Sequence, residues 1–157
     1  MGPIADRLQA DVAKLAALVK QKSGSYVPNE IVNGAKELMD EVMGSKVSGE
    51  EERYSHTDLV DFRANLDGSL KAIDLVRPTL AKTAPDLLRE IDAQAKVVTA
   101  ALDVHKQDPG YLGTGYAEWG LADDAASPIT TAQRRTLADA VRPLTVLLGE
   151  VPAKVTV

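Results

Sequence analysis

The stretch LVDFRANLDGSLKAIDLVRPTL (residues 59–80) sets Leu59, Phe62, Leu66, Leu70, Ile73 and Leu80 at helical spacing. One apolar stripe with that period is the mark of an amphipathic α-helix packed on a core. It is expected to be the longest helix of the chain, interrupted by Gly68 and kinked or thinned near Pro78, which lacks an N–H for the helical ladder. The same period recurs on both sides. Upstream, Ile4, Leu8, Val12, Leu15 and Leu18 form a stripe with Asp6 and Asp11 early and Lys20 and Lys22 late. The helix dipole favours that charge order, and Ser23-Gly24-Ser25 is the expected turn after it. Pro28 suits the first turn of a second helix with Ile31, Ala35, Leu38 and Val42 inward and its exit bounded by Gly44 and Gly49.

Downstream, Thr83-Ala84-Pro85-Asp86 reads as a capped entry to a helix that buries Leu87, Ile91, Ala95, Val98 and Leu102, with His105 on the same face. Thr130 and Gln133 form a capping box before a last helix with Leu137, Val141, Leu144 and Leu148 inward, bent at Pro143. Between them, residues 107–127 form a long connection holding Tyr111, Tyr116 and Trp119. Such loops are often functional, and the alternative is that Tyr116 and Trp119 plug one end of the bundle. The fold class is therefore all-α. We expect an up-and-down bundle of four long helices plus an accessory segment, with residues 1–157 making one bundle.

Composition agrees. Of 157 residues, 45% are hydrophobic and only 4% aromatic, which favours helix-on-helix packing over a sheet sandwich. The formal charge of −5, with no basic cluster interleaved with aromatics, argues against nucleic acid as a partner. With no cysteine there is no disulfide, no thiolate metal site and no cysteine nucleophile, and composition leaves the compartment open. No apolar run approaches the roughly 20 residues that span a bilayer, and the N-terminus lacks the pattern of a signal peptide. There is no HExxH helix, no GxSxG turn, no phosphate-binding glycine pattern and no Glu-x-x-His pair of a di-iron bundle.

Chemistry concentrates in GEEERYSHTDLVDFRANLDG (residues 49–68), where three glutamates, a tyrosine, one of the two histidines and three aspartates crowd together. Oxygen donors beside one imidazole suit hard cations as well as iron, zinc or manganese. The same residues also fit a solvated acidic turn followed by a helix start, with Ser55 as N-cap and Asp58 reaching back. Elsewhere, Glu37 and Glu41 repel across one helical turn unless a cation or basic groups such as Lys36 and Lys46 neutralise them. His105, near a helix C-terminus where the dipole favours the charged form, reads as a structural histidine.

The run GAKELMDEVMGSKVSGEEERYSHTDLVDFRANLDG (residues 34–68) combines GEE, YSHTDL, DF and AN-DG at one spacing. In this it resembles the second half of the imelysin-type domain of EfeO and EfeM iron-uptake proteins and of M75 peptidase-like proteins, with similarity from about Ala5 through the Tyr116 region to the last helix. The family's HxxE metal motif has no counterpart here: His56 is followed three residues on by Leu59, and His105 by Asp108. The resemblance implies an extracytoplasmic or periplasmic component that binds iron or another divalent or trivalent cation. Its metal ligands would be Glu50, Glu51, Tyr54, His56 and Asp58, with Asp61, Asn65 and Asp67 also matching the family pattern. The implied partners are an N-terminal half carrying HxxE and the membrane iron permease and peroxidase of the uptake system. Without HxxE, no enzymatic activity is expected. An imelysin-like metallopeptidase and a non-catalytic helical interaction module are the alternatives. A half-domain is further expected either to self-associate or to expose a contiguous apolar patch larger than the few hundred Å² usual for monomers.

Overall fold

A computed structural model of the chain describes residues 2–22 and 27–155. Six α-helices follow one another: α1 (Gly2–Lys22), α2 (Pro28–Glu41), α3 (Asp58–Thr83), α4 (Pro85–Asp103), α5 (Thr131–Glu150) and the short α6 (Pro152–Val155). The described residues contain no strand, only an isolated bridge between Lys106 and Tyr116. The turn expected at Ser23-Gly24-Ser25 lies outside the described residues.

Helices α2 to α5 form a four-membered ring in which each packs on its two neighbours and the diagonals do not meet. Each inward stripe feeds one shared core, whose fully buried members include Met39, Phe62, Leu66, Ile73, Ile91, Leu102, Leu137 and Leu144. On α2 the buried set is Val32, Ala35 and Met39, continued by Val42, while Ile31 and Leu38 are only half-buried. Ala35 and Val42 are thus buried as expected, while Val32 and Met39 take the places expected for Ile31 and Leu38. Both sets fit the helical period, and packing between α3 and α5 selects the one that points between its neighbours. Helix α3 runs unbroken through Gly68, and the other interior features follow its stripe, with Ser69 buried and its hydroxyl donating to Ala35 O at 3.1 Å. Pro78 and Pro143 sit inside continuous helices on their exposed sides, where water can satisfy the carbonyls that a proline leaves unpaired.

Three helix starts differ in their caps. The Thr130–Gln133 capping box is present in full, with Gln133 N–H donating to Thr130 Oγ1 at 3.2 Å and Thr130 N–H to Gln133 Oε1 at 2.9 Å. Helix α4 starts at Pro85 behind Ala84 with no side-chain cap, because Thr83 Oγ1 donates instead to Thr79 O and Lys154 O and ties α3 to α6. Helix α3 starts at Asp58, with Thr57 rather than Ser55 in the cap position and no side-chain cap there.

The bundle has two unlike ends. One is closed by α6, which packs on α2, α3 and α5. At the other, a π-helical turn (Val42–Lys46), the acidic turn and the long α4–α5 connection come together. Helix α1 packs on none of the other helices, and Ile4, Leu8, Val12, Leu15 and Leu18 are all exposed. The described residues therefore carry an apolar helix face open to solvent. Because α1 contributes no contact to the core, removing residues 1–22 should leave the urea midpoint of the remaining bundle unchanged while helical ellipticity falls. A lower midpoint would mean that α1 packs against the bundle.

Candidate metal centre

The acidic turn is shaped by how α2 ends. Its last turn widens into a π-helix, closed by Val47 N–H on Val42 O at 3.2 Å, which carries Lys46 inward to a buried position. Such widened turns recur at functional sites. Gly49 then adopts φ +82°, and a Cβ there would lie 2.1 Å from Gly120 O, so only glycine lets the turn approach the α4–α5 connection this closely. Ala122 N–H donates to Ser48 O at 2.8 Å across the same seam.

Two side chains lock that seam. Trp119, fully buried, donates Nε1–H to Lys46 O at 2.8 Å, and its backbone N–H donates to His56 O at 3.1 Å. Arg134, on the first turn of α5, donates to Val47 O at 2.8 Å, Trp119 O at 2.6 Å, Gly120 O at 2.8 Å and Ser127 Oγ at 3.1 Å, with its guanidinium 4.7 Å from the Trp119 ring centroid. Burial lowers the Arg134 pKa, and the charge of Asp58 opposes that shift. His105 meets the Trp119 ring edge-on at 5.3 Å. Tyr116 and Trp119 thus plug the bundle end, and the connection is ordered by the Lys106–Tyr116 bridge and a 3₁₀ turn at Tyr111–Gly113.

The turn places the expected ligand residues in unlike surroundings. Glu50 is exposed, and Tyr54 is 94% exposed. Glu51 accepts from Lys46 Nζ and from Ser45 Oγ at 2.8 Å, and the Lys46 hydrogen bond holds its carboxyl below the usual range. Glu52 accepts from Ser55 Oγ. His56 Nδ1 lies 2.7 Å from Glu118 Oε1. Asp58 is only 1% exposed: one oxygen accepts from Glu52 N–H at 3.2 Å, the other has no partner, and burial pushes its carboxyl up. Asp58 does reach back, but to tie down the preceding turn. Asp67 pairs with Arg63 Nε at 3.0 Å along α3, while Asp61 and Asn65 are half-buried. Among the described residues, no three His, Asp or Glu side chains converge closely enough to hold a cation alone.

Other expectations are resolved differently. Lys36 pairs with Asp40 and Lys46 with Glu51, so neither lysine neutralises Glu37 and Glu41, which stay exposed. His105 is buried, and burial lowers its pKa, so desolvation outweighs the dipole and the neutral ring is favoured. Glu118, Arg134 and the inward turn of Lys46 were not anticipated. Arg134 did carry a signal, since it leads the stripe Leu137, Val141, Leu144 and Leu148 at the same period. Glu118 carried none.

The buried neutral His105 has a pH consequence. In the unfolded chain it takes up a proton near the ordinary 6.5, while the folded chain resists protonation until lower pH. Its contribution to stability is present above 6.5 and is lost as pH falls through the depressed folded value. Asp58 has the opposite sign at lower pH, because the folded state holds its proton more tightly. Urea unfolding of the native chain should therefore lose free energy as pH drops below 6.5, and His105→Gln should flatten that slope. An unchanged slope in the variant would assign the loss to another group.

Comparison with known proteins adds an independent line. The sequence profile of the imelysin family, also described as peptidase M75, matches residues 1–151. The iron uptake system component EfeO of Escherichia coli O1:K1 / APEC is 44% identical over 111 residues, covering 71% of this chain and 29% of its own length. The EfeO proteins of E. coli strain K12 and of Shigella flexneri are 43% identical over the same extent. The chain thus spans 29% of the length of these relatives. Each of them is named as a component of an iron uptake system. No helix among the described residues is long and apolar enough to cross a membrane. A profile match over residues 1–151 makes this chain a member of the imelysin family.

Proposed function

We propose that this chain is the part of an extracytoplasmic iron-uptake component that presents the GEE-x-x-Tyr-x-His-x-Asp turn to the cation. The observation that carries this reading is the 44% identity to a protein named as an iron uptake component, over 71% of the chain. The local geometry supports it. Arg134, Trp119 and Gly49 fix the turn to the bundle end, yet among the described residues the side chains of Glu50 and Tyr54 and the Nε2 atom of His56 take no hydrogen bond. Iron is cargo here, and a site that must release it benefits from ligands at an open turn rather than in a closed cage.

The ligand set of this chain is partial, so the remaining donors come from a further stretch of polypeptide carrying HxxE. The exposed apolar face of α1 supports a place for that stretch to pack. Cation capture is then shared between the two parts, and separation of the ligands on handover to a permease, with its peroxidase, releases the iron. Of the proposed ligands, Glu50 and His56 meet the cation most directly, while Glu51 and Asp58 hold the shape of the turn.

Calorimetric titration of the complete HxxE-containing protein with Fe²⁺ tests this. His56→Ala and Glu50→Ala should each weaken binding about 10-fold or more with unchanged helicity, a loss of the size seen when a ligand or its support is removed. This chain alone should bind more weakly than the complete protein. Unchanged affinity in both variants would reduce the segment to a structural acidic turn.

A further inference from the structure

The backbone of His56 is gripped from both sides. Its N–H donates to Glu52 O at 2.7 Å and its carbonyl accepts from Trp119 N–H at 3.1 Å. Its φ of +56° lies in the left-handed region, which costs a side-chain-bearing residue energy that glycine would avoid and asparagine would reduce. The left-handed turn, bonded on both sides, fixes the main chain from which the ring projects. The residue next to Trp119 completes the grip, since Glu118 Oε1 lies 2.7 Å from His56 Nδ1 although the two are 62 positions apart. Among the described residues, none hydrogen-bonds the other ring nitrogen, Nε2.

A carboxylate can only accept at Nδ1, so the neutral ring that sits against Glu118 carries its proton there. The Nε2 lone pair is then left for an electrophile. A carboxylate behind one nitrogen and an unpartnered lone pair on the other is the arrangement in which protein histidines bind metal ions, the carboxylate fixing tautomer and ring orientation and raising ligand basicity. A simple surface ion pair would account for the contact. It would not account for two adjacent residues holding the same histidine by main chain and side chain.

We infer that Glu118 is a positioning residue that holds His56 as its Nδ1–H tautomer, so that Nε2 is the atom offered to the cation. This rests on the reading that the acidic turn contributes to a cation site. It adds to that turn a residue from the α4–α5 connection, so the plug of the bundle end also orients the ligand. Coordination by Nε2 leaves the Nδ1 proton in place and requires no proton release.

Imidazole ¹⁵N–¹H correlation spectra at mildly alkaline pH, on this chain and on the complete protein, read the tautomer without metal. The native His56 should be Nδ1–H, Glu118→Ala should shift it toward Nε2–H, and Glu118→Gln, whose amide oxygen still accepts, should keep most of the native form. In Fe²⁺ titrations of the complete protein, Glu118→Ala should weaken binding roughly 10- to 100-fold, Glu118→Gln less, and neither should weaken binding further once His56→Ala is present. An unchanged tautomer in Glu118→Ala would overturn the inference, even if His56→Ala weakens binding and the cation reading stands. A switched tautomer with full Fe²⁺ affinity in both Glu118→Ala and His56→Ala would overturn the inference together with the reading beneath it.

Discussion

The arrangement of the functional end depends on one buried cation. Arg134 gathers carbonyls from the acidic turn (Val47) and from the α4–α5 connection (Trp119 and Gly120), and its guanidinium lies over the Trp119 ring. Neither segment belongs to a regular element at those positions, so their carbonyls have no ladder to satisfy them. Arginine suits the task because its planar fork directs several N–H groups at once and stacks on an indole, which lysine cannot do. Removing it would leave several buried acceptors unpaired at about 1–3 kcal/mol each, a large fraction of the stability of a domain this size. The desolvation that lowers its pKa is offset by these acceptors and by the nearby Asp58 charge.

From that point the two ends of the bundle diverge in role. The α6 end is closed by apolar packing and by Thr83 bonding to Lys154 O. The Arg134 end is polar, irregular and partly open, with Lys46, Asp58 and His105 buried beneath an exposed acidic rim. Buried charges and a strained histidine cost stability, and the core of four stripes supplies it. The consequence is a rigid base under a turn whose outer side chains are free to meet a ligand.

Stripes were the legible part of the chain. On α3, α4 and α5 nearly every residue expected inward is buried, because alternatives at the same period would put charge in the core. On α2 the expectation held at Ala35 and Val42 and missed by one residue at two positions, since Ile31 and Val32, like Leu38 and Met39, are apolar neighbours that only packing can rank. The end plug by Tyr116 and Trp119 was readable from the aromatics of the long connection. Glu118 was not, because its partner is 62 residues away and nothing local distinguishes it from a solvated glutamate. Ser55 and Thr83 looked like caps by residue type, but each hydroxyl found a nearer partner: Glu52 for one, Thr79 O and Lys154 O for the other. The GEE and YSHTD residues were legible as chemistry, while their separation into exposed, paired and buried groups arose from the π-helical turn and the inward path of Lys46.

Amide hydrogen exchange in an Arg134→Lys variant tests the central claim, that one guanidinium holds the acidic turn to the plug and so sets the pose of His56. The account predicts that protection at Trp119 and Ala122, whose N–H groups bond His56 O and Ser48 O, falls together, while amides in the middle of α3 and α4 exchange as in the native chain. Native protection at both Trp119 and Ala122 in that variant would contradict it, and would mean that the turn keeps its place without Arg134.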